Sequence, residues 1–448
     1  MENIALLKKY NVAAPRYTSY PTVPYWDVAN FTKHKYIQAL TANCHLNKDE
    51  GISVYIHLPF CENLCTYCGC NTRITKNHGV EIPYINALIK EWEMYCTILG
   101  EQPKIKELHL GGGTPTFFSA QNLKTLLTAI VGNRQQVDEI ECSFEGHPDN
   151  TTVEHLETLY QFGFKRVSLG IQDFDPKVQL MINRFQTVEQ VSEITKAART
   201  IGYQSVNFDL IYGLPFQNLE GLAETINEVI NLKPDRIAFY SYAHVPWLKP
   251  GQRRYTEADI PKDDEKFALY QLGREMLIEA GYHEIGMDHF ALQTDSLYQA
   301  LEQSQLHRNF MGYTHQYTEI LIGLGVSSIS DCGNAFSQNI KTVEAYLAVI
   351  DQGDLPIEKG HILTETDQIT SKHISNLMCK NATSFTDEFP QVTKNRLIPL
   401  LADQLIEIKG NEITVSPIGK TFLRNISMAF DERLWQNQPE TKIFSSAI

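Results

Sequence analysis

The chain has 448 residues, 43% hydrophobic and 21% charged, with a formal net charge of −14. That is enough for one large domain plus smaller units, and no run of about 18 apolar residues suggests a membrane span. The acidic balance argues against broad attraction to nucleic acid or an anionic membrane, though an anionic small substrate could still meet a local basic pocket.

The first residues, Met1 to Pro21, lack the apolar core of a signal peptide, so a cytoplasmic location is expected. From there short β-branched or aromatic runs alternate with longer stretches of helical spacing. The expected strands are Ser53–Leu58, Ile105–Leu110, Glu139–Phe144, Arg166–Ile171, Ser205–Ile211 and Arg236–Ser241. Between them the spacing predicts helices at Ile82–Leu99, Ala120–Val131, Val153–Phe162, Val188–Ile201 and Leu219–Asn231. Thr151/Glu154 and Thr187/Gln190 have capping-box spacing. Such repetition implies a parallel sheet, doubly wound or an incomplete barrel. The unusual polar and glycine residues fall where strands end: Cys61, Gly111–Gly113, Glu145, Gln172 and Asp209. Barrel enzymes build their sites at the carboxyl ends of their strands, so these residues are expected to share one mouth.

Beyond about residue 245 the pattern changes. Asp263–Ala280 reads as an amphipathic helix, and Gly323–Ile329 is a small-residue segment suited to close backbone approach. From about residue 360 helical stretches precede a hairpin pattern at Leu405–Val415 around Gly410-Asn411, then a last helix at Ile418–Phe430. This is winged-helix-like, but no basic face accompanies it, which favours a structural or lid role over DNA binding. The expected divisions are an N-terminal extension (1–48), a barrel and following segment (49–355) and a C-terminal domain (356–448).

Four of nine cysteines crowd into Cys61-Glu-Asn-Leu-Cys65-Thr-Tyr-Cys68-Gly-Cys70. In a cytosolic chain such crowding points to metal or redox chemistry rather than a disulfide framework. A zinc site uses paired CxxC hooks or histidine partners, which fits poorly. Thiolates are the usual ligands of iron–sulfur clusters, and a simple [4Fe–4S] centre takes four. CxxxCxxC supplies three, leaving one iron for an external chelate. Cys70 either closes the cluster as a fourth ligand, making an electron-transfer centre, or stays off it.

The stretch Tyr55–Asn71 closely resembles the core motif of the oxygen-independent coproporphyrinogen III oxidases, within the radical S-adenosylmethionine superfamily. The resemblance spans nearly the whole chain, through Pro15–Thr22, Leu110–Thr116, Ser168–Asp173, Asn207–Pro215, Arg308–Thr314 and Asn425–Asp431. A related haem chaperone keeps CxxxCxxC but typically lacks the trailing cysteine and the Pro15–Thr22 segment, both present here. The resemblance implies an α/β fold, a partial (β/α)6 TIM-like barrel with an N-terminal extension and a mainly helical C-terminal domain. It implies oxidative decarboxylation of two propionates of coproporphyrinogen III to vinyl groups, giving protoporphyrinogen IX, with a reductase or flavodoxin-type electron donor and a monomeric enzyme. It implies a [4Fe–4S] cluster on Cys61, Cys65 and Cys68, with Cys70 outside, and two S-adenosylmethionine molecules. Tyr55, Tyr67, Gly112, Glu145 and Ile329 match positions around the cluster-bound molecule. Gly113, Thr114, Gln172, Arg184, Asp209 and Ala243 match those around the second. Met311 departs from the glutamine that some members carry near the second molecule. Arg16, Arg253, Arg254 and Arg308 are candidates for meeting the tetra-anionic substrate.

Overall fold

The computed structural model describes residues 2–132, 140–247, 249–385, 390–437 and 444. Glu139, expected to open the third strand, lies outside them, as do 386–389, 438–443 and 445–448 of the expected C-terminal domain. Two helices lead in, α1 (Glu2–Tyr10) and α2 (Lys33–Leu46). Six strands follow: β1 (Ile52–Leu58), β2 (Ile105–Gly112), β3 (Glu141–Gly146), β4 (Phe164–Gln172), β5 (Ser205–Tyr212) and β6 (Arg236–Ser241). Each pairs in parallel with the next. The crossovers carry α3 (Glu81–Leu99), α4 (Ala120–Val131), α5 (Val153–Gln161), the short α6 (Pro176–Ile182), α7 (Val188–Ile201) and α8 (Leu219–Leu232).

The barrel stays open. The sheet continues beyond β6 through antiparallel His289–Ala291 and His283–Gly286. On the other side β1 pairs in parallel with Leu321–Leu324, and Ile329–Asp331, Ala335–Asn339 and Ile357–Ile362 extend it antiparallel.

Side chains alternate along each strand with period two. The apolar set, such as Leu108, Leu110, Phe144, Leu169, Phe208 and Phe239, is buried in the main core. The other set is polar. His109, Ser143, Glu145, Ser168, Asn207 and Asp209 line a cavity of about 150 Å³ inside the open barrel. This polar inner wall explains why β2, β3 and β4 run further than expected, through Gly112, Gly146 and Gln172. Glu145, near the end of β3, stays in the ladder and faces that space.

The capping box expected at Thr187/Gln190 forms, with Gln190 N donating to Thr187 Oγ1 at 3.2 Å and Thr187 N to Gln190 Oε1 at 2.8 Å. The one expected at Thr151/Glu154 sits a residue later, at Thr152/His155. Thr151 Oγ1 instead donates to the His147 carbonyl at 2.9 Å and contacts Thr116, closing the turn before the helix.

The amphipathic helix α9 (Asp263–Glu279) covers the β5–β6 side. Further on, helices Glu365–Lys380 and Gln391–Ala402 flank a three-stranded sheet built on the hairpin Ile406–Lys409/Glu412–Val415. The helix expected at Ile418–Phe430 is divided into a 3₁₀ turn, Gly419–Phe422, and Leu423–Met428, and a short helix, Glu432–Gln436, follows. Gly419 lies so close to this sheet that a Cβ there would fall 1.9 Å from the Leu405 carbonyl oxygen. A second core joins this unit to the opposite end of the chain, with Leu7, Tyr10, Tyr17 and Tyr20 packed among Leu377, Leu400, Phe422 and Phe430.

Candidate active site

The cysteine loop leaves β1 through the short strand Phe60–Cys61, which pairs with Arg73–Ile74. It is pinned at its middle. Thr66 N donates to the Ile182 carbonyl at 2.9 Å, Thr66 Oγ1 to the Met181 carbonyl at 3.1 Å, and Asn183 Nδ2 to the Leu64 carbonyl at 2.8 Å. Cys65 and Cys68 share one turn, closed by Cys68 N donating to the Cys65 carbonyl at 3.1 Å. All four thiols of the loop are free.

Two cations stand beside them. Arg184 Nη1 lies 3.6 Å from Cys65 Sγ, and Lys249 Nζ donates to the Gly69 carbonyl at 2.9 Å. Cys61 Sγ is 3.3 Å from Thr114 Oγ1, and burial pushes its thiol up to about 12. Cys68 moves the other way, because the Cys70 thiol, helped by Lys249 and Arg184, outweighs its burial. Among the described residues no three His, Cys, Asp or Glu side chains converge on one ion. Three separated thiols backed by two cations fit a multi-iron cluster, where each thiolate binds its own iron and the sulfur-rich centre is anionic. The residues present therefore fit the group that the motif implies.

Beside the loop runs Gly111–Thr114. Gly113 N donates to the Leu58 carbonyl at 2.9 Å and Thr114 N to the Phe60 carbonyl at 3.1 Å. Glycine is required here. Gly112 has φ +114°, and a Cβ on it would fall 2.7 Å from the His57 ring, while one on Gly113 would fall 2.6 Å from the Pro59 carbonyl. Gly112 N donates to Glu145 Oε2 at 3.1 Å, and His109 Nε2 lies 3.5 Å from Glu145 Oε1. Burial works against the charge of Glu145, yet His109, the Gly112 N–H and His57 outweigh it and hold the carboxylate below its ordinary range. Tyr55 stacks on His109 with ring centroids 5.9 Å apart, and its hydroxyl lies 3.0 Å from His57 Nδ1.

The next strands carry a second group. Gln172 ends β4 at φ +67°, and the buried Arg184 donates Nη2 to the Gly170 carbonyl. Arg184 Nε is buried with no partner, a guanidinium edge left open to a ligand. Asp209 pairs in register with Gly170 and accepts from Asn207 Nδ2 at 2.8 Å and Ser168 Oγ at 3.1 Å. Burial, reinforced by Glu145, pushes it up to about 7 despite Asn207, Ser168 and Arg184.

The structure thus gathers Tyr55, the cysteines, Gly112–Thr114, Glu145, Gln172, Arg184 and Asp209 at the carboxyl ends of β1–β5. Tyr67 packs in an adjoining apolar cluster with Ile182 and Tyr255. Ile329 stands behind Tyr55: Gly323 pairs with Tyr55, and a Cβ on Gly323 would fall 2.5 Å from the Ile329 carbonyl oxygen. Ala243 lines the wall of a neighbouring cavity of about 610 Å³ beside Tyr242 and Lys266. Met311 lines the inner cavity with Asp209.

Of the candidate arginines, Arg16 and Arg308 lie together at the barrel mouth. Arg16 pairs with Asp288 and sits 5.3 Å from the Tyr240 ring centroid. Arg308 Nη2 donates to the Arg16 carbonyl at 3.3 Å, and its Nε and Nη1 are buried without partners. Arg253 and Arg254 point from an exposed turn. The sequence reading missed His57, His109, Ser168, Asn207 and His289. Polar residues at every second position of otherwise apolar strands were the signal that could have found His109, Ser168 and Asn207.

A profile of the Radical SAM superfamily matches residues 55–229. The oxygen-independent coproporphyrinogen III oxidase of Synechocystis sp. is 37% identical, covering 99% of this chain and 97% of the relative. That of Pseudomonas aeruginosa is 38% identical, covering 96% and 95%. The solved coproporphyrinogen III oxidase of Escherichia coli, described as a radical SAM enzyme, superposes with a TM-score of 0.88 at 35% identity, covering 96% of this chain and 98% of that one.

Proposed function

The chain belongs to the oxygen-independent coproporphyrinogen III oxidase family, and from that premise we propose that it converts coproporphyrinogen III to protoporphyrinogen IX in haem biosynthesis. Membership of the radical SAM superfamily brings a [4Fe–4S] cluster and S-adenosylmethionine. When bound, they supply a 5′-deoxyadenosyl radical that takes a hydrogen atom from a propionate β-carbon, and loss of carbon dioxide and one electron leaves the vinyl group. The observation that carries this reading is the three-thiol loop set against Glu145 and the Gly112–Gly113 turn, at the mouth of a polar-walled barrel.

Cys61, Cys65 and Cys68 would hold the cluster, and Cys70 would stay off it. Tyr55, Tyr67, Gly112, Glu145 and Ile329 would surround the cluster-bound S-adenosylmethionine. Glu145, kept anionic, is suited to an ammonium or ribose hydroxyl, and the glycines let the ligand approach the backbone. A second molecule would rest against Gly113, Thr114, Gln172, Arg184, Asp209 and Ala243, and the open Nε edge of Arg184 supports that reading. Arg16 and Arg308 would take a substrate propionate.

We divide the chain into 1–48, 49–355 and 356–448; the first boundary is supported by the way that segment leaves the second core to reach the barrel mouth at Arg16, while Ile357–Ile362 still pairs with the main sheet. We read the enzyme as a monomer of the cytoplasm served by a reductase or flavodoxin-type donor; among the described residues no helix is long and apolar enough to cross a membrane.

The test is anaerobic incubation with coproporphyrinogen III, S-adenosylmethionine and dithionite. Protoporphyrinogen IX and methionine are the expected products. Stable haem binding without decarboxylation would refute the reading.

A further inference from the structure

The surface around the cysteine loop differs from the rest of the molecule. The chain has 39 basic and 53 acidic residues, yet segments 60–76, 176–186 and 246–254 together hold seven Lys or Arg and one acid, Glu62. These segments are contiguous in space. Residues Ile182 and Asn183 are bonded to Thr66 and Leu64, Lys249 reaches the Gly69 carbonyl, and a Cβ on Gly251 would lie 3.4 Å from Leu64 Cδ2. Lys76, Lys177, Arg253 and Arg254 are exposed, whereas Arg73 is answered by Glu344 at 2.9 Å and Asp259 lies within electrostatic reach of Lys177.

The same segments expose large apolar side chains. Leu64 is 44% exposed, Ile74 40%, Leu180 50%, Phe185 54% and Trp247 54%. Scattered exposed apolar residues need no explanation, but five on one basic rim do. Leu64 itself lies between two of the thiols.

We propose that this face is the docking surface for the electron donor, an acidic protein carrying a reduced flavin or iron–sulfur centre. The proposal rests on the radical SAM reading above, which requires that an electron arrive from outside. An apolar centre with a rim of opposite charge suits a transient redox encounter, where complementary charge speeds association and the buried area stays small. Leu64 and its neighbours bring the donor onto the cysteine loop, and Lys177, Arg253 and Arg254 draw it there. One electron crosses, lost by the donor's reduced centre and gained by the cluster.

Reduced flavodoxin is the probe, with dithionite as a small reductant that needs no docking. Titration calorimetry of the cluster-loaded chain with oxidised flavodoxin should show binding that weakens with salt. The variants Lys76→Glu/Lys177→Glu and Leu180→Ser should each bind about tenfold more weakly. Their turnover should fall with flavodoxin and stay at the wild-type level with dithionite. Wild-type affinity in both variants would overturn the proposal. So would an equal loss with dithionite or a raised KM for coproporphyrinogen III, either of which would make this face part of the substrate path. A wild-type protein inactive even with dithionite would sink the oxidase reading instead, and this proposal with it.

Discussion

Glu145 and Asp209 face the same cavity, yet their surroundings part them. His109 and the Gly112 N–H hold Glu145 charged, whereas burial leaves Asp209 near 7. Asp209 therefore gains its charge as pH rises through about 7, while Glu145 keeps its own. S-adenosylmethionine affinity should fall as pH drops below that point, and Asp209→Asn should bind weakly with no such dependence; equilibrium dialysis across the range checks both. On the arrangement proposed above, the wild type should bind two molecules per chain at saturation and Arg184→Ala one. An unchanged stoichiometry would remove Arg184 from the second position. Cys68→Ala should lose iron and sulfide, and Cys70→Ser should retain them. At this scale the cysteine spacing and the glycine run were legible because their chemistry is local. The protonation of Asp209 was not, since it depends on β3 and β4 neighbours 64 and 41 residues away in the chain.

Among the elements, the six strand–helix units could be read from periodicity, because each helix has one apolar face and each strand an apolar outer row. What periodicity hid was the other row, whose polar residues shortened the expected strands. Tertiary ties were also hidden. Glu91 on α3 accepts from Gly325 N at 2.8 Å, Asn339 Nδ2 at 2.6 Å and the Tyr346 hydroxyl at 2.6 Å, fixing the turn between Leu321–Leu324 and Ile329–Asp331. Burial pushes Glu91 up to about 7 against those three donors. Unfolded, it loses its proton near ~4.3. Between these values the unfolded chain binds fewer protons, so stability falls as pH rises. Glu91→Gln should flatten that slope, read from denaturation midpoints at about pH 5 and about pH 8. In the C-terminal unit Asp367 accepts from Arg433 Nε at 2.7 Å and Nη2 at 2.8 Å, with His361 Nε2 3.1 Å away. Breaking that largely buried set with Asp367→Ala should cost on the order of 3 kcal/mol, measurable by urea unfolding.

Across the whole molecule, the N-terminal extension ties barrel to C-terminal unit. Lys9 and Tyr10 reach Asp403, the Ala14 and Pro15 carbonyls accept from Arg424, and the Tyr17 hydroxyl donates to Asp431 at 3.0 Å. Between those anchors Arg16 turns to Asp288 at the barrel mouth. Removing residues 1–18 should leave iron and sulfide content intact while abolishing turnover, a separation visible in the same preparation. An N-terminal extension over residues 1–48 was expected, but its partners, some 400 residues away, could not be read from local pattern.

Those partners set an order of events in the cell. Tyr10, Ala14 and Tyr17 leave the ribosome some 400 residues before their partners Asp403, Arg424 and Asp431. Domains generally fold as units during synthesis, so the barrel strands can pair while the opening segment still lacks these partners. The anchors on either side of Arg16 are complete only once Arg424 and Asp431 have emerged, so the mouth is finished after the loop that carries the three thiols has been made.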